Sequence, residues 1–289
     1  MNRYEQLIAN IKKYGKVIVA FSGGIDSYLV LKASLDALGS ENVLAVTGES
    51  PSLKSSEAAE TLRLAGTIGV RHVIIKTDEI DNPNYSNNPD NRCFFCKDEL
   101  FAKLEELKTQ KGYEFIFDGT NYDDMSDYRP GYKAGHSHHI ISPLVDMKFT
   151  KDEIRQISKE IGLEIWDKPS APCLSSRIPY GQEVTVAKLK QIEKAEEVLK
   201  TFGLREFRVR HFEFDQHVSN GIRAKIKLAK IDLARDEFDK MLVKDSIENI
   251  NGKLKNIGYD FVTFDMGGLR KGSLNPQALS EAEGRINKS

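Results

Sequence analysis

Long apolar runs are missing from this chain. Nothing approaches the ~18 consecutive apolar residues that a membrane-spanning helix needs, and the opening Met1-Asn2-Arg3-Tyr4-Glu5-Gln6 holds no apolar signal core. A soluble, cytosolic protein with no membrane partner is therefore expected. Charge of one sign is missing too: 42 Lys and Arg stand against 43 Asp and Glu, for a formal net charge of −1, with no long basic or acidic stretch. That balance argues against a dedicated nucleic-acid binder, whose footprint is a basic surface. Cysteine is scarce, and its count of three is odd, which excludes a disulfide framework. In a reducing compartment the three read as buried thiols, metal ligands or reactants. Two well-known phosphate-binding signatures are absent as well: no loop ends in Gly-Lys-Ser/Thr, and the glycine-rich turn does not follow the Gly-x-Gly-x-x-Gly spacing of a dinucleotide site.

What is present is Val17-Ile18-Val19-Ala20-Phe21-Ser22-Gly23-Gly24-Ile25-Asp26-Ser27. The apolar start reads as a strand buried on both faces, and Tyr28 to Ala33 has helical spacing. A glycine turn between strand and helix leaves backbone N–H groups aimed outward, and the positive end of the helix dipole adds to them. Ser22, Gly23, Gly24 and Ser27 would thus bind phosphate, with glycine permitting close approach and Asp26 able to hold Mg2+ against the phosphates.

The 289 residues suit one large or two moderate domains. Tyr4, Leu7, Ile8, Ile11 and Tyr14 predict a leading amphipathic helix. Strands are predicted at Val43–Val46, His72–Ile75 and Phe115–Thr120, and helices from Ser55 to about Ile68 with Ser55-Ser56-Glu57 as its cap, from near Cys96 to Gly112, and over Lys151–Ile161. Residues 78–91, rich in Asn, read as a loop. Alternating strands and helices imply an α/β fold: a doubly wound parallel sheet with ligand at the carboxyl strand ends, where the 22–27 loop, Thr47 to Ser50 and the Asp118-Gly119 turn all fall. From Pro169 the pattern changes. A helix over Thr185–Phe202, strands at Phe207–Arg210 and Ile222–Ile226, helices over Ile231–Val243 and Ser246–Ile257, and a strand at Phe261–Phe264 predict a smaller α+β domain with an antiparallel sheet. The expected domains are 1–168 and 169–289, with a polar, mobile tail after Asn275. The open sheet edge of the second domain predicts a homo-oligomer.

Cys93-Phe94-Phe95-Cys96 sits at the mouth of a helix, whose dipole favours thiolate. Cys173 lies in Pro169-Ser-Ala-Pro-Cys-Leu-Ser-Ser-Arg-Ile-Pro-Tyr-Gly181, an ordered functional loop or a linker. Spacing alone leaves half-buried thiols, a redox pair and a three-thiolate cluster all open. The His136-Ser137-His138-His139 group reads as a solvated loop rather than a metal site. Arg208 and Arg210 alternate along one strand and share a face. With Arg177 they suit either a phosphate clamp or plain exposed cross-strand charge.

Taken together, the 22–27 loop, Asp127-Tyr-Arg-Pro-Gly131, Cys173-Leu-Ser-Ser-Arg-Ile-Pro-Tyr-Gly181, Arg208-Val-Arg210 and Asp265-Met-Gly-Gly-Leu-Arg270 resemble LarE, the ATP-dependent sulfur transferases of nickel-pincer nucleotide biosynthesis. The resemblance implies ATP, Mg2+ and a pyridinium-3,5-biscarboxylic acid mononucleotide, one carboxylate of which is adenylated before sulfur displaces AMP. It places Gly119 and the 22–27 loop at the nucleotide, Arg177, Arg208 and Arg210 on the substrate phosphate, and Lys97 and Glu196 near the reacting groups. Family members with one cysteine sacrifice the position matching Cys173. The additional Cys93 and Cys96 resemble the branch whose three cysteines hold a four-iron four-sulfur (4Fe-4S) cluster, with sulfide or another sulfur donor resupplying it. A tRNA thiolase and a non-catalytic nucleotide-binding protein are the rival readings. The neutral charge and the Ser-Ser-Arg-Ile-Pro-Tyr-Gly segment weigh against the first, and the cysteines with the arginines against the second.

Overall fold

Val17–Ala20 forms strand β1 because an uninterrupted β-branched run suits a position covered on both faces, and three of its four residues are buried. The computed structural model describes residues 1–125, 130–169, 171–217, 223–270, 272 and 274. Asp127, Tyr128 and Arg129, Ser170, Ile222 and the tail from Asn275 lie outside them. The contacts of the chain divide it into two units, Met1–Tyr85 with Asn91–Ala171, and Ser86–Asp90 with Pro172–Ser289.

In the first unit β1 pairs in parallel with β2 (Val43–Glu49) and β4 (Phe115–Phe117), and β2 pairs in parallel with β3 (Arg71–Lys76). The order is β3-β2-β1-β4. Alternate residues of β1 face opposite layers. Val17 and Val19 join the core with Leu7 and Ile11 of α1 (Arg3–Ile11) and Leu29 and Val30 of α2 (Ile25–Leu38). Ile18 joins Leu44, Val46, Ile116, Phe101 and Leu104 on the other side. The sheet is thus doubly wound, as the strand–helix alternation requires. Helix α3 (Ser55–Thr67) follows β2, and its N-cap is Lys54 rather than the predicted serine cap. The loop expected at 78–91 contains a short helix α4 (Pro83–Ser86). Helix α5 spans Arg92–Lys111, so it begins a turn earlier than expected and takes Cys93 inside its first turn. Helices α6 (Pro130–Ser137), α7 (Pro143–Asp146) and α8 (Lys151–Glu160) complete the unit.

The histidine group corrects another expectation. His136 lies in the last turn of α6, and His138 is half-buried rather than solvated, placing Nδ1 2.9 Å from Glu105 Oε2 and Nε2 3.0 Å from Asp98 Oδ1. Burial disfavours its charge, but the two carboxylate hydrogen bonds on α5 outweigh that and raise its pKa. The tie it makes between α5 and the end of α6 is therefore complete below the ordinary imidazole pKa and lost as pH rises through the raised one.

In the second unit α9 (Val186–Lys200) precedes a long antiparallel hairpin, β5 (Phe207–His217) with β6 (Arg223–Leu233). The helix expected from Ile231 does not start there. Ile231 and Leu233 alternate inward as strand residues, Ile231 paired with Val209 and Phe264, and helical structure begins later with α10 (Phe238–Met241) and α11 (Lys244–Asn256). The final strand β7 (Phe261–Phe264) runs parallel to β6, so the sheet is mixed rather than antiparallel, in the order β5-β6-β7. Ala195, Leu199, Val209, Ala229, Ile231, Ile250 and Leu254 form its core. Among the described residues no helix is long and apolar enough to cross a membrane.

Candidate active site

The turn after β1 is built from its two serines. Ser27 Oγ donates to the Gly24 carbonyl at 3.1 Å, lies 3.1 Å from Ser22 Oγ and accepts from the Ser22 amide at 3.3 Å. Gly24 is the N-cap of α2 and gives it no side-chain cap, which leaves the first-turn N–H groups available to an anion. The two glycines differ in role. Gly23 has φ +71°, and a Cβ there would stand 2.9 Å from Thr61 Cγ2, so conformation and packing demand it. Gly24 has an extended backbone, and its virtual Cβ meets only Ser22 Oγ at 3.4 Å. Nothing in the protein's own packing requires glycine there, which suits close approach of a ligand. At the base of the turn the Thr47 hydroxyl donates to the Phe21 carbonyl at 2.6 Å, tying β2 to the departing end of β1.

Asp26, in the first turn of α2, has one oxygen held by Lys151 Nζ at 2.6 Å, while Oδ1 is buried without a hydrogen-bond partner. A buried carboxylate oxygen left over beside a phosphate loop is the donor that Mg2+ takes, so the residues present fit that ion. Lys151 heads α8, where a cation opposes the helix dipole, and Thr150 with Glu153 forms a capping box around it. The sequence reading missed Lys151. Its unfavourable place at a helix start was the one available signal.

Gly119 closes the same pocket from β4. A Cβ on it would come 2.5 Å from the Ser27 amide nitrogen and 2.7 Å from Ser27 Cα. Gly119→Ala must push the start of α2 away from the sheet, at an overpacking cost of about 1–3 kcal/mol. We expect the variant to unfold at lower temperature and to lose at least about tenfold in ATP affinity, since 1.4 kcal/mol is a factor of ten. Calorimetric titration alongside a thermal melt checks this, and unchanged ATP affinity would remove Gly119 from the site. Beside it Asp118 accepts from Thr120 and from Ser142 Oγ at 2.6 Å, with Lys97 Nζ 3.8 Å away. A cavity of about 410 Å³ lined by Lys16, Asn42, Arg71, Lys111 and Tyr113 lies at the opposite, amino-terminal strand edge and takes no part in this arrangement.

Cys93 and Cys96 stand three residues apart at the start of α5, the former exposed and the latter half-buried, and Lys97 follows directly after Cys96. Two thiols on one helical turn fit a cluster's donor chemistry. Among the described residues, however, no three His, Cys, Asp or Glu side chains are gathered as a metal site.

In the second unit the arginines are buried, which excludes exposed cross-strand charge. Arg177 bonds Glu196 through Nε at 2.8 Å and Nη2 at 3.3 Å, and its Nη1 donates to the carbonyls of Pro172 and Cys173 and to Ser176 Oγ. Arg210 bonds Asp232 at 2.9 Å and the Ser176 carbonyl at 2.7 Å. Both therefore hold the short 3-10 segment Leu174–Arg177, whose N-cap is the exposed Cys173. Lys230 reaches Asp265 at 2.6 Å, inside the turn of the Asp265–Arg270 motif. Paired off this way, Glu196, Asp232 and Asp265 leave Arg208 as the odd cation. It is 9% exposed, and although the carboxylates of Asp232 and Glu196 act on its charge through space, no hydrogen bond or close ion pair of its guanidinium is seen among the described residues. Burial first, then the neighbouring Arg210 and Arg177, pull its pKa down to about 10. Such a group invites an anion. Glu196 serves here as counter-charge to Arg177 and accepts the Val209 amide at 3.2 Å. Sequence reading also missed Asn88, fully buried with φ 57°, whose amide donates to the carbonyls of Pro179 at 2.7 Å and Gln182 at 2.9 Å. It docks the Ser86–Asp90 segment onto the stretch that follows Cys173.

Residues 3–105 match the NAD synthase family profile, a span that holds the loop and three of the four strands. Over 277 residues, the chain is 33% identical to the pyridinium-3,5-bisthiocarboxylic acid mononucleotide synthase of Lactiplantibacillus plantarum, covering 96% of this chain and 95% of that protein. The chain belongs to the LarE family. A further relative is an uncharacterised protein of Synechocystis, 39% identical over 94% of this chain and 97% of its own length. Beyond LarE, a glutamine-hydrolysing GMP synthase chain of Archaeoglobus fulgidus is 24% identical over 65% of each chain. Membership in LarE and the phosphate-loop geometry agree on an ATP-using protein.

Proposed function

We propose that this LarE protein is an ATP-dependent sulfur transferase acting on a pyridinium-3,5-biscarboxylic acid mononucleotide. The observation that carries the reading is Arg208: a buried guanidinium with no close ion pair among the described residues, set among arginines that grip the Cys173 segment. The substrate phosphate supplies the missing charge there and brings its ring carboxylates toward the sulfur-bearing stretch. Ser22, Gly23, Gly24 and Ser27 bind the nucleotide phosphates through backbone and hydroxyl donors. Asp26 would hold Mg2+, which neutralises charge on the polyphosphate.

A carboxylate oxygen of the substrate attacks the α-phosphorus of ATP. The new P–O bond forms as the bond to the bridging oxygen breaks, and pyrophosphate leaves. Hydrosulfide then attacks the acyl carbon, the C–O bond breaks, and AMP departs with its electron pair. The second carboxylate needs another round. Cys93, Cys96 and Cys173 are the thiolates that would hold a 4Fe-4S cluster, whose open iron supplies a sulfur-binding position. Lys97 faces the developing phosphate charge, and Glu196 keeps Arg177 in place. Strands β5 and β7, at the edges of the sheet among the described residues, would offer pairing groups to a second copy of the chain.

Anaerobic mass spectrometry with ATP, Mg2+, substrate and sulfide tests the reading. A product in which sulfur replaces oxygen is expected, together with pyrophosphate release that requires the pyridinium mononucleotide. Release that depends on tRNA instead would move the protein to the thiolases, and no release at all would leave a nucleotide binder.

A further inference from the structure

Lys168 also reaches the phosphate loop. Its ammonium donates to the Gly23 carbonyl at 3.1 Å, across 145 residues of sequence, and its nearest carboxylate oxygen, on Glu60, is 3.8 Å away, beyond hydrogen-bond distance. Glu60 is shared with Arg63 at 3.4 Å, so it is a divided partner. Lys151, the other lysine at the loop, is engaged at 2.6 Å by Asp26. An ammonium carries three hydrogens. Among the described residues Lys168 spends one of them on a neutral carbonyl, with its side chain only 26% exposed. It is an under-partnered cation beside a turn whose backbone donors already point at an anion.

We propose that Lys168 is a polyphosphate-binding residue of this site. On nucleotide binding its ammonium exchanges the Gly23 carbonyl and the distant Glu60 for oxygens of the pyrophosphate portion of ATP. In the free protein the same contact pins the Gly23–Gly24 peptide, so the loop stands ready before ligand arrives. The proposal rests on the reading of the 22–27 turn as an ATP site and adds to it a residue outside every motif that identified the family.

The test is calorimetric binding of ATP, pyrophosphate and AMP to the full chain and to two variants. Lys168→Gln keeps an N–H donor for the Gly23 carbonyl but removes the charge. It is expected to weaken ATP and pyrophosphate by about tenfold or more, the size of a charge-assisted hydrogen bond, and to leave AMP within about twofold. Lys168→Arg keeps the charge and is expected to regain most of that loss. A merely structural lysine predicts the reverse pattern. Wild-type ATP affinity in Lys168→Gln, parallel loss of AMP, or an arginine variant no better than the glutamine one would each overturn the assignment. Wild-type protein that binds neither ATP nor pyrophosphate would overturn the nucleotide site itself.

Discussion

Replacing Arg208 with methionine raises the melting temperature of the protein and removes most of its affinity for the anionic substrate. The two effects share one cause. A buried guanidinium whose desolvation and neighbouring arginines outweigh its distant carboxylates costs folding energy, which an apolar side chain of similar length avoids. Burial, followed by Arg210 and Arg177, has pulled its pKa down to about 10. In the folded protein the group therefore resists its charge. Between about 10 and the ordinary guanidinium value above it, the unfolded chain binds more protons than the folded one, so stability rises with pH in that window, and the full cost is present below it. A bound phosphate reverses this by supplying the missing anion. One charge-assisted contact is worth about 1.5–3 kcal/mol, or roughly 10–100-fold in affinity. Thermal melts with and without the mononucleotide, at neutral pH, check both halves. Ligand should stabilise the wild type strongly and Arg208→Met little. A variant that melts lower and binds normally would make Arg208 a structural residue.

Replacing Cys93 with serine abolishes repeated turnover while leaving ATP binding intact. Cys93 and Cys96 lie three residues apart at the start of α5, and Asn91 gives that helix no side-chain cap. If three thiolates hold a 4Fe-4S cluster, Cys93→Ser, Cys96→Ser and Cys173→Ser should each lose iron and sulfide after anaerobic reconstitution. All three should then fail to make thiocarboxylate. If Cys173 itself donates the sulfur, the outcome separates cleanly. Cys93→Ser then completes one turnover, and Cys173 loses the mass of hydrogen sulfide. Metal analysis and intact-protein mass spectrometry on the same samples decide between them. The cysteines lie in different parts of the chain, so the comparison also shows whether they act as one group.

Much of the first unit was legible because its signals are local. The apolar run at Val17, the glycine turn and the helical spacing after it occupy a single stretch, and period and turn chemistry act within a few residues. The same logic failed where two periods competed. Ile231 and Leu233 suit a helix face as readily as a strand face, and only their pairing with Val209 and Phe207 settles the matter. The helix start at Arg92 rather than Cys96 was missed for a related reason, since the Asn-rich stretch before it gave no clear cap.

The chain alone therefore determined the parallel sheet, the phosphate turn with Asp26 and the family motifs, all written in contiguous residues. Tertiary structure decided what each charge meets. It turned Arg177 and Arg210 into supports for Cys173, left the Arg208 guanidinium without a close ion pair among the described residues, seated Lys151 on Asp26 and Lys168 on Gly23, and buried Asn88 against the segment after Cys173. The physical reason is range. A backbone conformation is chosen by neighbours in sequence, whereas the balance of desolvation against pairing depends on groups that folding brings together from more than a hundred residues apart.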